Sequence, residues 1–290
     1  MRAAARNQRP RNRSLRPLAL SLKHLLLTGD DFGRSREVNE AIERYFAAGA
    51  LTQASLMVNE PSVDDAVEIA RRSPGLCVGL HLTLCDGAAA RLSGLTDRRG
   101  QLDASAARAG WQYALASYLD ADLSAEIERQ FARFHSFGLA PTYWDGHHHM
   151  HLHPKVLRLT LPIAERYGFH VVRTVREPLP WRPLALIFAQ LSRTAARVME
   201  GRAFATVERT YGLSRTGRMT EGYCRRVLRG LPRGWSELYF HPGAERDGVA
   251  PERLAELIAG TGIQLSDSVS LAMEKGVRTA EEPAAANGHS

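Results

Sequence analysis

The sequence predicts an α/β fold: a single domain built as an incomplete (β/α) barrel of parallel strands, with a helical insertion. Short apolar runs alternate along the 290 residues with segments whose apolar side chains recur at helical spacing. About seven such strand–helix units follow one another, and parallel strands require crossovers of this kind. A barrel is therefore the first choice, and an open doubly wound sheet is the alternative.

Each element follows from its local pattern. The run HLLLTG at 24–29 is apolar enough for a buried strand, and the helical spacing that follows it stops at Gly49, a residue suited to a helix end. The other predicted strands are 51–59, 76–84, 142–144, 169–174 and 237–240. The predicted helices are centred on 38–46, 63–72, 123–134, 155–167, 184–198 and 223–231, and 86–121 is expected to be irregular.

Most of the net positive charge lies at the start of the chain. The chain carries 38 basic and 31 acidic residues, a net charge of +7, and six of the arginines fall in residues 1–20. The rest is nearly neutral, so nucleic-acid binding is not expected. Residues 1–20 are predicted to be a disordered tail, 21–275 the folded domain, and 276–290 a disordered end. A tail that contacts anionic lipid or nucleic acid is the alternative.

The cysteine content indicates a cytoplasmic protein. Cys77, Cys85 and Cys224 cannot form a disulfide framework, which indicates a reducing compartment. No apolar stretch approaches the ~18 residues that a membrane span needs, and the start of the chain makes a poor signal peptide. Peripheral contact with the inner face of the membrane stays open, and the sequence makes no prediction of oligomeric state.

Four predicted strands end in side chains that can bind a metal or move a proton. These are Asp30 with Asp31, His81, Asp145 with His147, and His241. A single histidine after a strand is more often a hydrogen-bonded structural residue. Four such strand ends favour a functional site, because the carboxyl ends of parallel strands meet on one face of the fold, where active sites form. The sequence therefore predicts one site that contains them.

The adjacent carboxylates of Asp30 and Asp31 suggest divided roles. Two acids side by side repel each other, and a bound cation would relieve that repulsion. One acid could then bind the cation while the other accepts a proton. The alternative is that Asp31 caps the helix that follows, which accounts for one acid and not for two.

A histidine-rich tract follows the fourth of these strands. Residues 145–153 (DGHHHMHLH) hold five of the eleven histidines. On an extended backbone His147, His149 and His151 would share one face. Not all of them can bind one ion, and Asp145 could instead orient a ligating imidazole. A solvated tract that scavenges metal is the alternative.

Taken together, these motifs resemble the YdjC/ChbG family of carbohydrate deacetylases. The matching stretches, in family order, are 28–33 (TGDDFG) with 38–39 (VN), 52–59 (TQASLMVN), 79–84 (GLHLTL), 145–154 (DGHHHMHLHP) and 236–243 (SELYFHPG). Gly29 stands where the family usually has Ala, and Gly146 where it usually has Ser. Neither departure removes a functional side chain.

The resemblance implies a distorted, barrel-like α/β fold that holds one divalent metal ion, Mg²⁺ or Zn²⁺. The implied metal ligands are Asp31, His81 and His147, the implied base is Asp30, the implied acid is His241, and Asp145, His149 and His151 are expected beside the ligands or the substrate. The reaction would be hydrolysis of the acetamide of an N-acetylated amino sugar, giving acetate and a free amine. One carboxylate and two imidazoles leave coordination positions open for water and substrate.

Within the family, the chain is most similar to the branch associated with hopanoid biosynthesis. The similarity rests on 175–178 (VREP), on the long segment rich in Arg and Leu that follows it, and on the spacing from 219–220 (MT) to 239–242 (YFHP). It implies N-acetylglucosaminyl hopanoid, a lipid-linked substrate. The alternatives are a deacetylase of soluble chitooligosaccharides, a metal-dependent phosphoesterase, and a basic protein that binds lipid or nucleic acid through its tail.

Residues 177–220 are predicted to be the helical insertion, because they interrupt the strand–helix rhythm. One helical face holds the apolar residues Leu184, Ile187, Phe188, Leu191, Ala195 and Val198. A helix packed on the barrel is the simpler interpretation. The alternative is a lid whose apolar face meets a hydrocarbon substrate or a bilayer, with Trp181 at the interface.

Overall fold

Parallel strands form one curled sheet across the residues that the computed structural model describes, 22–178, 183–243 and 248–277. The strands are β1 (Lys23–Phe32), β2 (Gln53–Leu56), β3 (Cys77–Leu82), β4 (Tyr143–Gly146), β5 (Val171–Val172), β6 (Arg209–Tyr211), β7 (Gly234–Phe240) and β8 (Gln264–Leu265). Their order is β5-β4-β3-β2-β1-β7-β6, and β8 pairs with β1. The predicted tail at 1–20, Trp181 and residues 278–290 lie outside the described residues.

Helices follow most strands and bury one apolar face each. They are α1 (Arg36–Ala47), α2 (Val63–Arg72), α3 (Ala106–Leu115), α4 (Asp120–Ser136), α5 (Pro154–Arg166), α6 (Pro183–Met199), α7 (Glu221–Gly230), α8 (Pro251–Ala259) and α9 (Ser268–Lys275). In α1 the buried positions include Ala41, Ile42 and Tyr45, which is the spacing of one helical face. None of the helices in the described ranges is long and apolar enough to cross a membrane.

The two ends of the sheet approach each other and nearly close a barrel. Val171 of β5 forms a parallel bridge with Ala205, just before β6. The Ala205 N–H donates to the carbonyl of His170 at 2.8 Å, and the Thr210 hydroxyl of β6 donates to the carbonyl of Thr174. The predicted incomplete barrel is thus confirmed, and the open doubly wound sheet is wrong. The contact between the two ends of the sheet is weak, because β5 and β6 are only two and three residues long.

Two sequence predictions differ from the structure. The segment 86–121, expected to be irregular, contains α3. Its large apolar residues Trp111 and Leu115 are 70% and 78% exposed, so they do not form the buried apolar face by which a helix is predicted from sequence. The segment 177–220, expected to be a helical insertion, supplies α6 but also strand β6, which pairs with β7 inside the sheet. The insertion therefore cannot be removed without opening the barrel.

Candidate metal centre and active site

The polar residues predicted at strand ends meet at one end of the barrel. Asp30 and Asp31 lie in β1, His81 in β3, and Asp145 in β4, and His147 follows β4 directly. Strand pairing places His81 beside Asp145 in register. The fold therefore brings together residues that are up to 117 positions apart in the chain, as the strand-end pattern predicts.

Backbone strain is concentrated at this end of the barrel. Among the described residues, the non-glycine positions with positive φ are Asp31 (65°), Asp86 (47°), His148 (51°) and His149 (57°). Such conformations cost roughly 1–2 kcal/mol each and persist only where surrounding contacts enforce them. Their grouping around one cluster is typical of a functional site.

Three side chains point their ligand atoms at a common position. Asp31 Oδ1 lies 3.0 Å from His147 Nδ1 and 3.4 Å from His81 Nε2. Asp31 Oδ1 is also buried and lacks a hydrogen-bond partner, which is costly unless something else satisfies it. One carboxylate oxygen and two imidazole nitrogens are suitable ligands for a divalent ion, so the residues present fit a metal.

The surroundings of this triad favour the charged forms of Asp31 and His81. Burial alone would raise the pKa of Asp31, but the neighbouring imidazoles of His147 and His81 outweigh burial and hold that pKa well below its usual range. Burial disfavours the charged form of His81 too and alone would lower its pKa. The carboxylate of Asp145, 2.6 Å from His81 Nδ1, opposes this effect, and the pKa of His81 is raised to about 10. Asp145 thus supports the imidazole from the side opposite Asp31.

Two further groups of acids and histidines are close enough to hold an ion, but in each an arginine is hydrogen-bonded to a carboxylate that would have to bind it. Asp30, His81 and Asp145 form one group, and Asp86, His147 and His148 form the other. Arg173 donates to Asp30 at 2.8 Å and lies 2.9 Å from Asp145. Arg34 donates to Asp86 at 3.0 Å. Arg34 also contacts the triad, but at Asp31 Oδ2 and His147 Nε2, and it leaves Asp31 Oδ1 without a hydrogen-bond partner. The triad of Asp31, His81 and His147 is therefore the best-suited cation site among the described residues.

Arg173 is the centre of a buried ionic cluster. Its guanidinium contacts both oxygens of Asp30, at 2.8 Å each, and lies 2.9 Å from Asp145 and from Glu237. Burial raises the pKa of Glu237, with Arg173 acting in the opposite direction. The Ser55 hydroxyl lies between Asp30 and Asp145, at 3.3 and 2.8 Å. These contacts fix the orientation of the Asp30 carboxylate.

The histidine tract is coiled and not extended, so the prediction that His147, His149 and His151 share one face is wrong. Residues His147–Leu152 form a 3₁₀ segment with two left-handed residues. As a result His147 joins Asp31, while His149 Nε2 lies 2.9 Å from the Tyr239 hydroxyl. His151 Nε2 lies 2.9 Å from the Arg173 carbonyl oxygen and is fully buried.

A cavity of about 800 Å³ opens over the cluster. Asp30, His81, His147 and His241 line its polar floor, together with His149. Its walls are mainly apolar and come from α3 (Ala106, Ala107, Gly110, Trp111, Ala114) and from α6 (Leu184, Ile187, Phe188, Leu191). The shape suits a ligand with one polar end and one apolar end.

The predicted apolar face of α6 is divided between two surfaces. Ala195 is fully buried and packs on the barrel with Ser192, whose hydroxyl accepts from the Val175 N–H at 2.8 Å. Leu184 and Ile187 line the cavity and are 54% and 56% exposed. The helix is thus both packed on the barrel and part of the cavity wall.

Several residues of the site were missed by the sequence predictions. Arg173, Arg34 and Asp86 were not singled out, and Tyr239 was named only as part of a motif. The alternative that Asp31 caps the following helix is wrong, because Ser35 caps α1. A charged residue directly after the apolar pair of β5 was the available signal for Arg173. An arginine in that position must find buried partners.

Curated relatives are described as deacetylases. A carbohydrate deacetylase of Geobacillus stearothermophilus is 37% identical over 161 residues, 55% of this chain and 63% of that protein. A chitooligosaccharide deacetylase of Serratia marcescens is 34% identical over 57% of this chain and 64% of that protein. The chain thus spans less than two thirds of these bacterial relatives. A carbohydrate deacetylase of Homo sapiens is 32% identical over 76% of this chain and 74% of that protein.

A solved structure supports the fold, and a sequence profile identifies the family. A crystal structure of a candidate cellobiose-phosphate cleavage protein from Enterococcus faecalis V583 superimposes with a TM-score of 0.66 at 21% identity, covering 87% of this chain and all of that one. This likeness supports the barrel architecture. The sequence profile described as YdjC-like protein matches residues 24–274, nearly the whole described chain. The protein therefore belongs to the YdjC-like family.

Proposed function

We propose that this protein is a metal-dependent hydrolase that removes the acetyl group from an N-acetylated amino sugar. The observation that carries the proposal is the convergence of Asp31 Oδ1, His81 Nε2 and His147 Nδ1 on one position at the floor of a cavity. Family membership and the descriptions of the relatives support the same reaction class.

Asp31, His81 and His147 would hold one divalent ion, Zn²⁺ or Mg²⁺. Such an ion, when bound, polarises the acetamide carbonyl and lowers the pKa of water. The mixed carboxylate and imidazole set suits zinc somewhat better than magnesium, which prefers oxygen ligands. Asp145 holds His81 by its Nδ1, so that Nε2 faces the ion.

Asp30 and His241 would move the protons of the reaction. Both line the cavity, and Asp30 is held by Arg173 so that its carboxylate keeps one orientation. Water attacks the acetyl carbon, and Asp30 accepts the proton that this water loses. The bond between the acetyl carbon and the amide nitrogen then breaks, and His241 donates a proton to the leaving amine.

Acetate release tests this function. We expect the protein, supplied with Zn²⁺ or Mg²⁺, to release acetate from N-acetylated amino sugars and no phosphate from phosphate esters. Asp31→Ala should lose the metal and the activity, whereas Asp30→Asn should retain the metal and lose the activity. Asp64→Asn, which removes an exposed carboxylate, is the control for net charge. Near-normal turnover by Asp30→Asn would show that Asp30 is not the base.

The preferred substrate is a lipid-linked sugar, N-acetylglucosaminyl hopanoid. The polar floor of the cavity suits the sugar, and the apolar walls of α3 and α6 suit a hydrocarbon aglycone. Burying apolar surface contributes roughly 25 cal/mol per Å², so contact with these walls adds substantially to the binding free energy of an extended hydrocarbon. A soluble chitooligosaccharide would use the floor alone.

Two neighbouring residues of α6 provide a matched test of the aglycone. Ile187 lines the cavity and Leu186 does not, although they are 56% and 54% exposed. Ile187→Ser should lower kcat/KM for the hopanoid substrate and leave chitobiose unaffected, and Leu186→Ser should change neither. Equal losses on both substrates would contradict a lipid-binding wall.

Contact with the inner face of the cytoplasmic membrane would give access to such a substrate. Trp111, Leu115 and Tyr118 are 70–80% exposed, in and just after the helix that lines one cavity wall. Exposed aromatic and aliphatic side chains in one region are typical of interfacial binding. Vesicles of anionic lipid should cosediment with the protein, and Trp111→Ser with Leu115→Ser should weaken this binding. Unchanged binding by the double variant would place the contact elsewhere.

A further inference from the structure

We propose that Asp86 and Arg34 set the tautomer of His147, and that they change the affinity of the cation site in opposite directions. Asp86 favours the tautomer that can bind a cation, and Arg34 favours the tautomer that cannot. The inference rests on the proposed function only in that Asp31, His81 and His147 hold the ion.

One nitrogen of His147 faces two partners of opposite character. Nε2 lies 3.1 Å from Arg34 Nη1 and 3.3 Å from Asp86 Oδ2. A guanidinium has only donors, and a carboxylate has only acceptors. Nε2 must therefore be unprotonated to accept from Arg34, and must carry a hydrogen to donate to Asp86. The neutral ring cannot satisfy both partners through this nitrogen at once.

The choice at Nε2 decides what Nδ1 can do. When Nε2 accepts from Arg34, the neutral ring carries its hydrogen on Nδ1, which lies 3.0 Å from Asp31 Oδ1, and Nδ1 then has no lone pair for an ion. When Nε2 donates to Asp86, Nδ1 has a free lone pair aimed at the same position. Only the second tautomer is a ligand, so Asp86 is a positioning residue for cation binding.

Arg34 also opposes the cation by its charge. Its Nη1 lies 3.4 Å from Asp31 Oδ2, so it already neutralises part of the ligand carboxylate. A divalent ion bound by Asp31 and His147 would face this guanidinium across the same side chains. Because the Arg34 side chain is 36% exposed, it can turn toward solvent when an ion binds.

His81, the other imidazole of the triad, lacks such a choice. Its Nδ1 lies 2.6 Å from Asp145 Oδ1, and both side chains are almost fully buried. Arg173 contacts the other oxygen of Asp145, Oδ2, and so does not compete for this nitrogen. Each ligand histidine thus has a carboxylate at its far nitrogen, but only His147 has a competing arginine.

Zn²⁺ affinity, measured without substrate, tests the inference. A chromogenic chelator would compete for Zn²⁺ with the full-length protein and its variants. We expect Asp86→Asn to weaken binding by roughly 10–100-fold, and Arg34→Met to tighten it by a factor on the order of ten. Asp86→Glu, which retains the carboxylate, should recover part of the loss. Asp64→Asn is the control for net charge, and thermal unfolding checks that each variant is folded.

The tautomer itself is the second measurement. Histidine ¹⁵N shifts of the metal-free protein should show Nδ1–H at His147, and Arg34→Met should move the hydrogen to Nε2. The inference is overturned if both substitutions shift affinity in the same direction, or if neither shifts it while the wild type binds Zn²⁺. If the wild type binds no Zn²⁺, the proposed metal centre falls together with this inference.

Discussion

Replacing Arg173 by methionine should cause a large loss of stability. The substitution keeps much of the apolar side chain but removes the guanidinium from three carboxylates, Asp30, Asp145 and Glu237, each no more than 3% exposed. Leaving a buried charge without its partner costs about 3–5 kcal/mol. Native domains have only about 5–15 kcal/mol of stability, so the loss should be roughly a fifth or more of the total. Protonation of the carboxylates limits further loss, so the costs do not add.

Urea unfolding followed by tryptophan fluorescence measures this effect, because Trp144 and Trp235 are buried. A loss of about 3–5 kcal/mol corresponds to a decrease in Tm of roughly 6–20 °C for a chain of this size. Arg72→Met is the matched control: Arg72 binds Glu43 through two hydrogen bonds, at 2.7 and 2.9 Å, but in solvent. It should change stability little. If the two variants had equal stability, the Arg173 cluster would not be important for folding.

Three further predictions concern packing and pH. Gly79→Ala should lower the free energy of unfolding, measured in urea, by about 1–3 kcal/mol, because a Cβ there would lie 2.5 Å from the Tyr143 ring. Ser192→Ala should cost about 1–3 kcal/mol and make α6 sensitive to proteolysis, because the backbone N–H and C=O of Val175 lose their partner. Burial lowers the pKa of His151 to about 4, so stability should fall as the pH drops from about 6.5 to 4, and His151→Gln should reduce that dependence by up to roughly 3 kcal/mol.

The barrel and the position of the site were predictable because both depend on local patterns. Alternating strands and helices require parallel pairing, and parallel pairing gathers the strand ends at one face. Asp31, His81 and His147 could therefore be expected together from their places after apolar runs, and the structure does bring their ligand atoms within 3.0–3.4 Å of Asp31 Oδ1.

The contacts that support this cluster could not be predicted, because they depend on tertiary packing. Arg173 follows a strand of two residues and binds carboxylates from β1, β4 and β7, which no local pattern connects. The left-handed backbone of His148 and His149 is rare for residues other than glycine, so an extended tract was the natural expectation. Helix α3 could not be predicted from a buried apolar face, because its largest apolar side chain, Trp111, faces the cavity and solvent and not the core.

Zinc X-ray absorption of the loaded protein, combined with metal analysis, shows whether Asp31, His81 and His147 hold the ion. We expect one Zn²⁺ per chain, bound by two imidazoles and otherwise by oxygen, and the loss of one imidazole in His81→Ala and in His147→Ala. Coordination by three or more imidazoles would place the ion in the histidine tract, and a spectrum unchanged by both substitutions would show that Asp31, His81 and His147 do not hold the metal.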